Sequence, residues 1–436
     1  MNVFVGMQTY VWFGTTPALI IRDPELIKEV TLKHFQFIRV NFDNPLAELM
    51  TKGISSLNKE QWSKHRKIMS PAFHIEKIKL MVPAFRASVS EIVTKWEEIV
   101  SSKHGSAEVD VWPDLRKLTS DVISRTAFGS NYEEGRLIFE FQQEQSEYYQ
   151  KVISSIYIPG WKYVPTKMNR RMKEICRIVN HKIRCLVEAR LKAMKAGEAC
   201  ADDLLGLLLK SNIEEIDEQG GSKDVGMSIQ DIIEECKLLY VAGQDTTSVL
   251  LVWTMILLAR HPEWQHRARQ EVVQLFGNHQ IPNANALNEL KIVTMILHEA
   301  LRLYTPAGTI IRIAREDTKL RNMTIPKGVY LLLHVLLLHH DPEYWGEDAK
   351  EFKPERFAGG VTKAAKGGKH SYFPFSWGPR ICLGQNFVMT EARMTIAMIL
   401  QRFSFEIAPS YTHLPYCSPL STTHPKYGAQ LILRKL

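Results

Sequence analysis

A mainly helical fold with a small β-rich part follows from three features of the 436-residue sequence. Residues 75–100, 112–127, 168–195 and 228–259 carry apolar side chains at helical spacing over four or more turns each. Short β-branched and aromatic runs bounded by Gly and Pro occur near the two termini and between residues 309 and 335. A Gly- and Pro-containing loop, residues 372–384, surrounds one cysteine and leads directly into another helical stretch, 385–401. The chain is 45% hydrophobic and shows no repeat and no long low-complexity linker, so residues 1–436 are expected to form one unit with a large core.

Charge and cysteine usage exclude several function classes. The net charge of +8 reads as a mildly basic, solvated surface, with attraction to an acidic partner or an anionic membrane as the sharper alternative. No nucleic-acid motif accompanies it. Cys176, Cys185, Cys200, Cys236, Cys382 and Cys417 are irregularly spaced and form no C-x-x-C pair. That argues against a zinc site or a disulfide framework and fits a reducing compartment. Residues 1–20 are interrupted by Asn2, Gly6, Gln8, Thr9, Gly14, Thr15 and Thr16. A spanning helix needs about 20 mostly apolar residues, so this segment is read as neither a membrane helix nor a signal peptide.

In order, residues 9–13 and 18–21 read as a hairpin split by Gly14-Thr15-Thr16-Pro17. Asp23-Pro24 caps and opens a helix. Residues 41–57 are irregular, 60–68 helical, 75–100 helical with Pro83 as a possible break, and 142–157 helical up to Pro159-Gly160. Residues 214–226 read as a polar loop around Gly220-Gly221. Ser228 and Asp231 form a capping-box signal for the helix 228–259. His261-Pro262 starts the next helix, to 275, and residues 287–304 give another. Residues 309–313 and 328–335 read as strands, 358–370 as a basic loop with Lys363, Lys366 and Lys369, and 403–408 and 430–433 as terminal strands around a polar turn, 418–424.

The cysteine loop reads Tyr372-Phe373-Pro374-Phe375-Ser376-Trp377-Gly378-Pro379-Arg380-Ile381-Cys382-Leu383-Gly384. This pattern suits a thiolate bound to haem iron, where the sulfur pushes electron density onto the metal and favours O–O cleavage. Gly378 permits a tight turn that points backbone N–H groups at the sulfur. Gly384 lets the chain approach a flat macrocycle, Arg380 can pair with a propionate, and Phe375 would shield the sulfur. The N-terminus of the helix that follows helps to hold the negative charge. A lone cysteine is more often a small buried hydrophobe, but five typed positions at fixed spacing argue against that here.

The helix 228–259 contains a second anomaly, Ala242-Gly243-Gln244-Asp245-Thr246-Thr247. A mid-helix Gly costs about 1 kcal/mol relative to Ala, and the run adds poor helix formers and a charge to an apolar helix. Local preference in conflict with fold marks a functional position. Small Ala242 and Gly243 leave room for a ligand, Thr246 can turn its hydroxyl from a backbone carbonyl toward bound oxygen, and Asp245 can relay protons.

The pattern Phe-x-x-Gly-x-Arg-x-Cys-x-Gly resembles the haem-binding signature of the cytochrome P450 family, and Asp245-Thr246 matches its oxygen-activation motif. The resemblance covers nearly the whole chain and extends to other motifs in family order. It implies that Trp62 and Arg66 hydrogen-bond a haem propionate, with Lys64, His65 and Lys67 making the surroundings basic. It makes Arg312 a further propionate partner, although Arg315 is close by, and it makes Glu299, Arg302 and Arg356 a structural ion cluster. Residues 62–68, 71–74 and 377–382 look like the plant clan that includes secologanin synthase, triterpenoid oxidases and brassinosteroid and gibberellin oxidases. The fold so implied is the haem-thiolate monooxygenase fold, with the 228–259 helix across the distal face of haem b. The implied activity is hydroxylation of a lipophilic terpenoid, steroid-like or hormone-like molecule by O₂. Electrons come from NADPH through a flavoprotein, the NADPH-cytochrome P450 reductase, at the cytoplasmic face of the endoplasmic reticulum membrane. The clan's usual N-terminal membrane anchor is not seen ahead of the hairpin, which leaves a non-catalytic or shortened haem-binding protein as an alternative. A haem-thiolate isomerase is a second one; it needs no O₂-linked proton relay, so Asp245-Thr246 counts against it. Basic residues Lys64, Lys67, Lys363 and Lys366 are expected to dock the acidic redox partner.

Overall fold

The computed structural model describes residues 3–5, 8–13, 16–40, 52–129, 132–153, 160–197, 203–220, 225–278, 280, 282–366, 370–417 and 422–436. The helices are α1 (Pro24–Leu32), α2 (Lys59–Met69), α3 (Ile75–Ser102), α4 (Val111–Phe128), α5 (Tyr132–Ile153), α6 (Lys167–Lys195), α7 (Leu204–Glu218), α8 (Ile229–Arg260), α9 (Pro262–Phe276), α10 (Lys291–Leu303), α11 (Val335–His339), α12 (Pro342–Trp345) and α13 (Gln385–Arg402). The strands are β1 (Val3–Val5), β2 (Gln8–Phe13), β3 (Thr16–Ile21), β4 (Phe37–Ile38), β5 (Ser106–Asp110), β6 (Ile310–Ala314), β7 (Thr318–Leu320), β8 (Met323–Ile325), β9 (Tyr330–Leu333), β10 (Phe403–Ile407), β11 (Pro415–Tyr416), β12 (His424–Pro425) and β13 (Gln430–Lys435).

Helix α8 is the centre of the packing. Its capping box forms as expected: the Ser228 hydroxyl accepts from the Asp231 N–H, and the Asp231 carboxylate accepts from the Ser228 N–H at 2.9 Å. From Thr247 to Ala259 every side chain is buried, so the helix is apolar around its whole circumference, as an interior helix must be. Helices α4, α6, α10 and α13 pack against it. Each fully buried Leu, Ile or Val contributes about 1.5–3 kcal/mol. Among the described residues α8 is the one helix long and apolar enough to cross a membrane, and its burial makes it a core helix. The Trp253 indole ties it to the C-terminal turn by donating to the Thr423 carbonyl at 2.7 Å, and stacks on Tyr304.

The larger sheet has the order β1-β2-β3-β9-β6-β4, parallel only between β3 and β9. The hairpin expected near the start is present and gains β1 as an edge. In the second sheet β13 pairs with β10 and β5, so the terminal strands meet a strand that the short sequence Ser-Ala-Glu-Val-Asp did not announce. The Asp23 cap forms, its side chain accepting from the Leu26 N–H at 2.7 Å.

Several boundaries differ from expectation. Helix α3 runs through Pro83, nine residues in; the pyrrolidine ring is accommodated without ending it. Helix α5 starts at Tyr132, ten residues before the apolar spacing becomes clear, and its predicted continuation through 154–157 lies outside the described residues. Residues 214–218, read as loop, are the last turn of α7, which Asp203 caps through the Gly206 N–H and which buries Leu204 to Leu209. The stretch 287–304 breaks at Leu290 (ψ 84°): a single turn, Ala286–Glu289, precedes α10. The Glu271 carboxylate accepts from the first N–H groups of α10, at Ile292 and Val293, and so supplies an N-terminal cap from another helix. Strand β9 is shorter than 328–335 because α11 begins at Val335. Most of the irregular stretch 41–57, Lys369 and residues 418–421 of the polar turn lie outside the described residues.

Candidate active site

The cysteine loop is held by its own backbone and by two helices. The Cys382 N–H donates to the Phe375 carbonyl at 2.9 Å and the Ile381 N–H to that of Gly378 at 3.0 Å. Gly378 has φ +71°, and a Cβ there would lie 3.4 Å from the Thr31 carbonyl of α1, so both conformation and close approach require glycine. Ser376, at φ +68°, takes a left-handed conformation that costs an ordinary residue about 1–2 kcal/mol. Phe375 is half-buried against the core. Gly384 precedes the first residue of α13, and a Cβ there would meet only the Cys382 sulfur, at 4.0 Å. The Cys382 side chain opens into this free space. Protein packed around the other sides desolvates the thiol and pushes its pKa up, opposed by the Gly384 N–H and the Arg66 charge. A thiol in that setting needs a cation at the open side to become a stable thiolate.

Around the loop lies a group of guanidiniums without anions. Arg312 is fully buried; its Nη1 donates to the Ile311 carbonyl, and its Nε and Nη2 have no partner. Arg380, also buried, donates from Nη2 to the Leu57 carbonyl at 2.7 Å, leaves Nε unpaired and lies over the Trp62 ring at 4.5 Å. The Arg39 Nε is unpaired as well. Desolvation, then repulsion from Arg39 and Arg380, lowers the Arg312 pKa well below normal. Desolvation and Arg39 push Arg380 down to about 9, and desolvation brings Arg39 to about 10. No carboxylate is ion-paired with any of the three among the described residues. Buried cations are stable only when paired, so the donor set fits a group that brings at least two carboxylates beside an open cysteine. The two propionates and the iron of haem match that requirement.

Of the sequence candidates, Trp62, Arg66, Arg312 and Arg380 thus gather around Cys382, and Arg315 is resolved as an exposed residue. Arg66 donates from Nη1 to the Ile381 carbonyl at 2.7 Å, so it braces the loop next to the cysteine. Arg39 was missed. Its signal was a single cation in the apolar run Phe37-Ile38-Arg39-Val40; Asn58 fixes it by accepting from the Arg39 N–H at 2.9 Å. The expected basic surface at residues 64–67 is corrected. His65 is buried and its Nδ1 lies 2.6 Å from Glu235, Lys67 is ion-paired with Glu215 at 2.6 Å, and Lys64 donates to the Gly226 carbonyl. Those partners come from α7, α8 and the segment between them, which local sequence cannot reveal.

Halfway along α8 the burial lapses: Ala242 is exposed and Gly243 to Thr246 are half-buried, just before the wholly buried run Thr247 to Ala259. The Thr246 hydroxyl donates to the Ala242 carbonyl at 2.7 Å, the resting position expected for it. The Asp245 carboxylate accepts from the Thr422 hydroxyl at 2.7 Å. Asp245 and Thr422 border a cavity of about 580 Å³, with Pro306, Thr309 and His424 on its other walls. Gly243 is corrected. A Cβ there would lie 2.4 Å from two carbons of Ile123 on α4, so the glycine makes space for a neighbouring helix, not for a ligand. The Gln244 carbonyl on that side accepts from Thr119 of α4 at 3.0 Å.

The approach to the cysteine loop is anchored by the expected ion cluster. Glu299 and Arg302 are fully buried and paired bidentately, 2.7 Å for each bond. Arg302 also donates to the carbonyls of His339, Ala349 and Glu351. Arg356 Nε lies 3.5 Å from Glu299, and its other nitrogens bond Asp348 and the Trp345 carbonyl.

An open cysteine beside buried arginines that lack anions, in a chain whose long central helix carries an acid and an alcohol, offers the donor set of a haem-thiolate oxygenase. The cytochrome P450 family model matches residues 4–432, and the chain belongs to that family. It is 54% identical over 434 residues to 7-deoxyloganic acid hydroxylase of Catharanthus roseus, and 51% identical over 433 residues to secologanin synthase 1 of the same plant. It is 53% identical over 431 residues to cytochrome P450 72A397 of Kalopanax septemlobus. Each match covers 99% of this chain and 82% of the relative. The protein is accordingly a haem-iron monooxygenase that hydroxylates a lipophilic small molecule with O₂ and electrons from a redox partner. Proteins of this kind are typically membrane-anchored.

Proposed function

We propose that residues 1–436 form one catalytic unit that hydroxylates a terpenoid, with Cys382 as the residue that would bind the iron of haem b. The bound haem supplies dioxygen activation: one oxygen atom enters a C–H bond and the other leaves as water, with two electrons and two protons taken up. Arg312, Arg380, Arg39 and the Trp62 indole would hold the propionates, and Arg66 braces the loop. The Gly384 N–H and the Arg66 charge favour the thiolate. Phe375 and Gly378 keep the loop in place, and Gly384 and Ala242 would put no bulky side chain in the way of a flat cofactor. Thr246, whose hydroxyl rests on the Ala242 carbonyl, would turn to donate a hydrogen bond in the bound enzyme, and Asp245, now held by the Thr422 hydroxyl, would carry protons to it. Electrons come from NADPH through the flavoprotein NADPH-cytochrome P450 reductase at the cytoplasmic face of the endoplasmic reticulum. Exposed Lys363 and Lys366 offer it a basic surface. The terpenoid class is supported by the activities for which the two Catharanthus relatives are named.

The observation that carries this reading is the set of buried, unpaired guanidiniums beside an open cysteine. The test is the carbon monoxide difference spectrum of the dithionite-reduced protein. The strongly red-shifted Soret band of thiolate ligation is expected from the natural sequence and is lost in Cys382→Ala. A red-shifted band that survives in Cys382→Ala would place the ligand elsewhere.

A further inference from the structure

We propose that Arg116 recognises a carboxylate on the substrate, so that the molecule hydroxylated is an already oxidised terpenoid acid and not a hydrocarbon. This rests on reading the 580 Å³ cavity as the substrate site. Arg116 stands on α4 and lines that cavity beside Trp112, Gln142, Gln244, Asp245 and His424. Its guanidinium lies over the Trp112 ring at 5.7 Å, and Trp112 is in turn parallel to His424, so the charge is held by a stacked wall. The Nε is buried without an acceptor, and no carboxylate is ion-paired with Arg116 among the described residues.

The two acids that border the cavity do not answer this charge. Asp245 is engaged by the Thr422 hydroxyl, and Glu147 is exposed at the rim on α5. A second polar group is equally unsatisfied. The Gln142 amide nitrogen is fixed on the Lys237 carbonyl at 3.1 Å, which leaves its oxygen buried with no donor. A purely apolar substrate would bury both groups and satisfy neither. A carboxylate offers Arg116 a charge-assisted, two-pronged bond, and a substrate hydroxyl offers Gln142 its missing donor. A pocket of this kind discriminates strongly against an analogue that lacks the bonding group. The class of reaction that must supply the substrate is therefore an oxidation that has already converted a substrate carbon to a carboxyl.

The test compares acids with their methyl esters, which differ in charge and little in shape. Binding to the haem-loaded protein is measured by equilibrium dialysis for 7-deoxyloganic acid, abietic acid and the methyl ester of each. At least one acid is expected to bind about tenfold or more tighter than its ester, the worth of a single charge-assisted bond. Arg116→Gln should bring that ratio close to one, chiefly by weakening the binding of the acid. Arg116→Lys, which keeps the charge but not the fork, should retain part of it, and it serves as the readout should the Gln variant not fold. Equal affinity for acid and ester, a preference that persists in Arg116→Gln, or a haem-loaded wild type that binds none of the four overturns the proposal. A protein lacking the thiolate carbon monoxide signature would instead overturn the reading of the haem site, so the two failures are distinguishable.

Discussion

Replacing Glu299 by Gln keeps the size of the side chain and removes one charge from a pair that is wholly out of water. Arg302 would stay buried with its carbonyl partners but without the carboxylate that takes two of its N–H bonds. Glu299 also accepts from the Lys353 N–H at 2.9 Å, so the segment leading to the cysteine loop loses an anchor too. Breaking a buried pair from one side costs about 3–5 kcal/mol, a large part of the roughly 5–15 kcal/mol that holds a domain folded. Urea unfolding with and without haem should show this loss in Glu299→Gln, together with faster haem release. Arg302→Lys should be nearly as damaging, because an ammonium cannot reproduce the fork. The control is Arg136→Gln, whose partner Glu140 is about half exposed, as Arg136 is; it should change stability by less than about 0.5 kcal/mol. A Glu299→Gln variant within about 1 kcal/mol of the wild type would refute the reasoning.

Four further outcomes are expected. Burial, and then repulsion from Arg393, pushes the His298 pKa down to about 4. The unfolded state therefore binds the extra proton first, and stability is lost as pH falls from about 6.5 to 4, by about 3 kcal/mol; urea midpoints across that range should flatten in His298→Gln. Gly243→Ala should lose about 1–3 kcal/mol by overpacking against Ile123 despite the better helix propensity, and Ile123→Ala should restore it in thermal unfolding of the double variant. Thr246→Ala should uncouple NADPH consumption from product and release peroxide, read by product-to-NADPH ratios. Charge reversal at Lys363 and Lys366, both exposed, should slow reduction and weaken its salt dependence in stopped-flow traces, whereas reversal at Lys67 should chiefly break its bond to Glu215 and lower stability.

Much of this protein was legible in sequence because its signals are local. Helix periodicity, the Ser228–Asp231 box, the Asp23-Pro24 start and the spacing around Cys382 involve residues a few positions apart, whose relation the backbone sets by itself. The conflict between helix propensity and Ala242-Gly243-Gln244-Asp245-Thr246 also showed in sequence, and two of these residues, Gln244 and Asp245, border the cavity. Tertiary structure alone decided which partner each polar group meets. Gly243 serves Ile123, which is 120 residues away; His65 meets Glu235 across the molecule; Asp245 meets Thr422; and Arg39 joins Arg312 and Arg380 from an unremarked segment. The interactions of a charged or vacant position depend on what folding brings within a few ångströms of it, and that distance is not written in any local spacing.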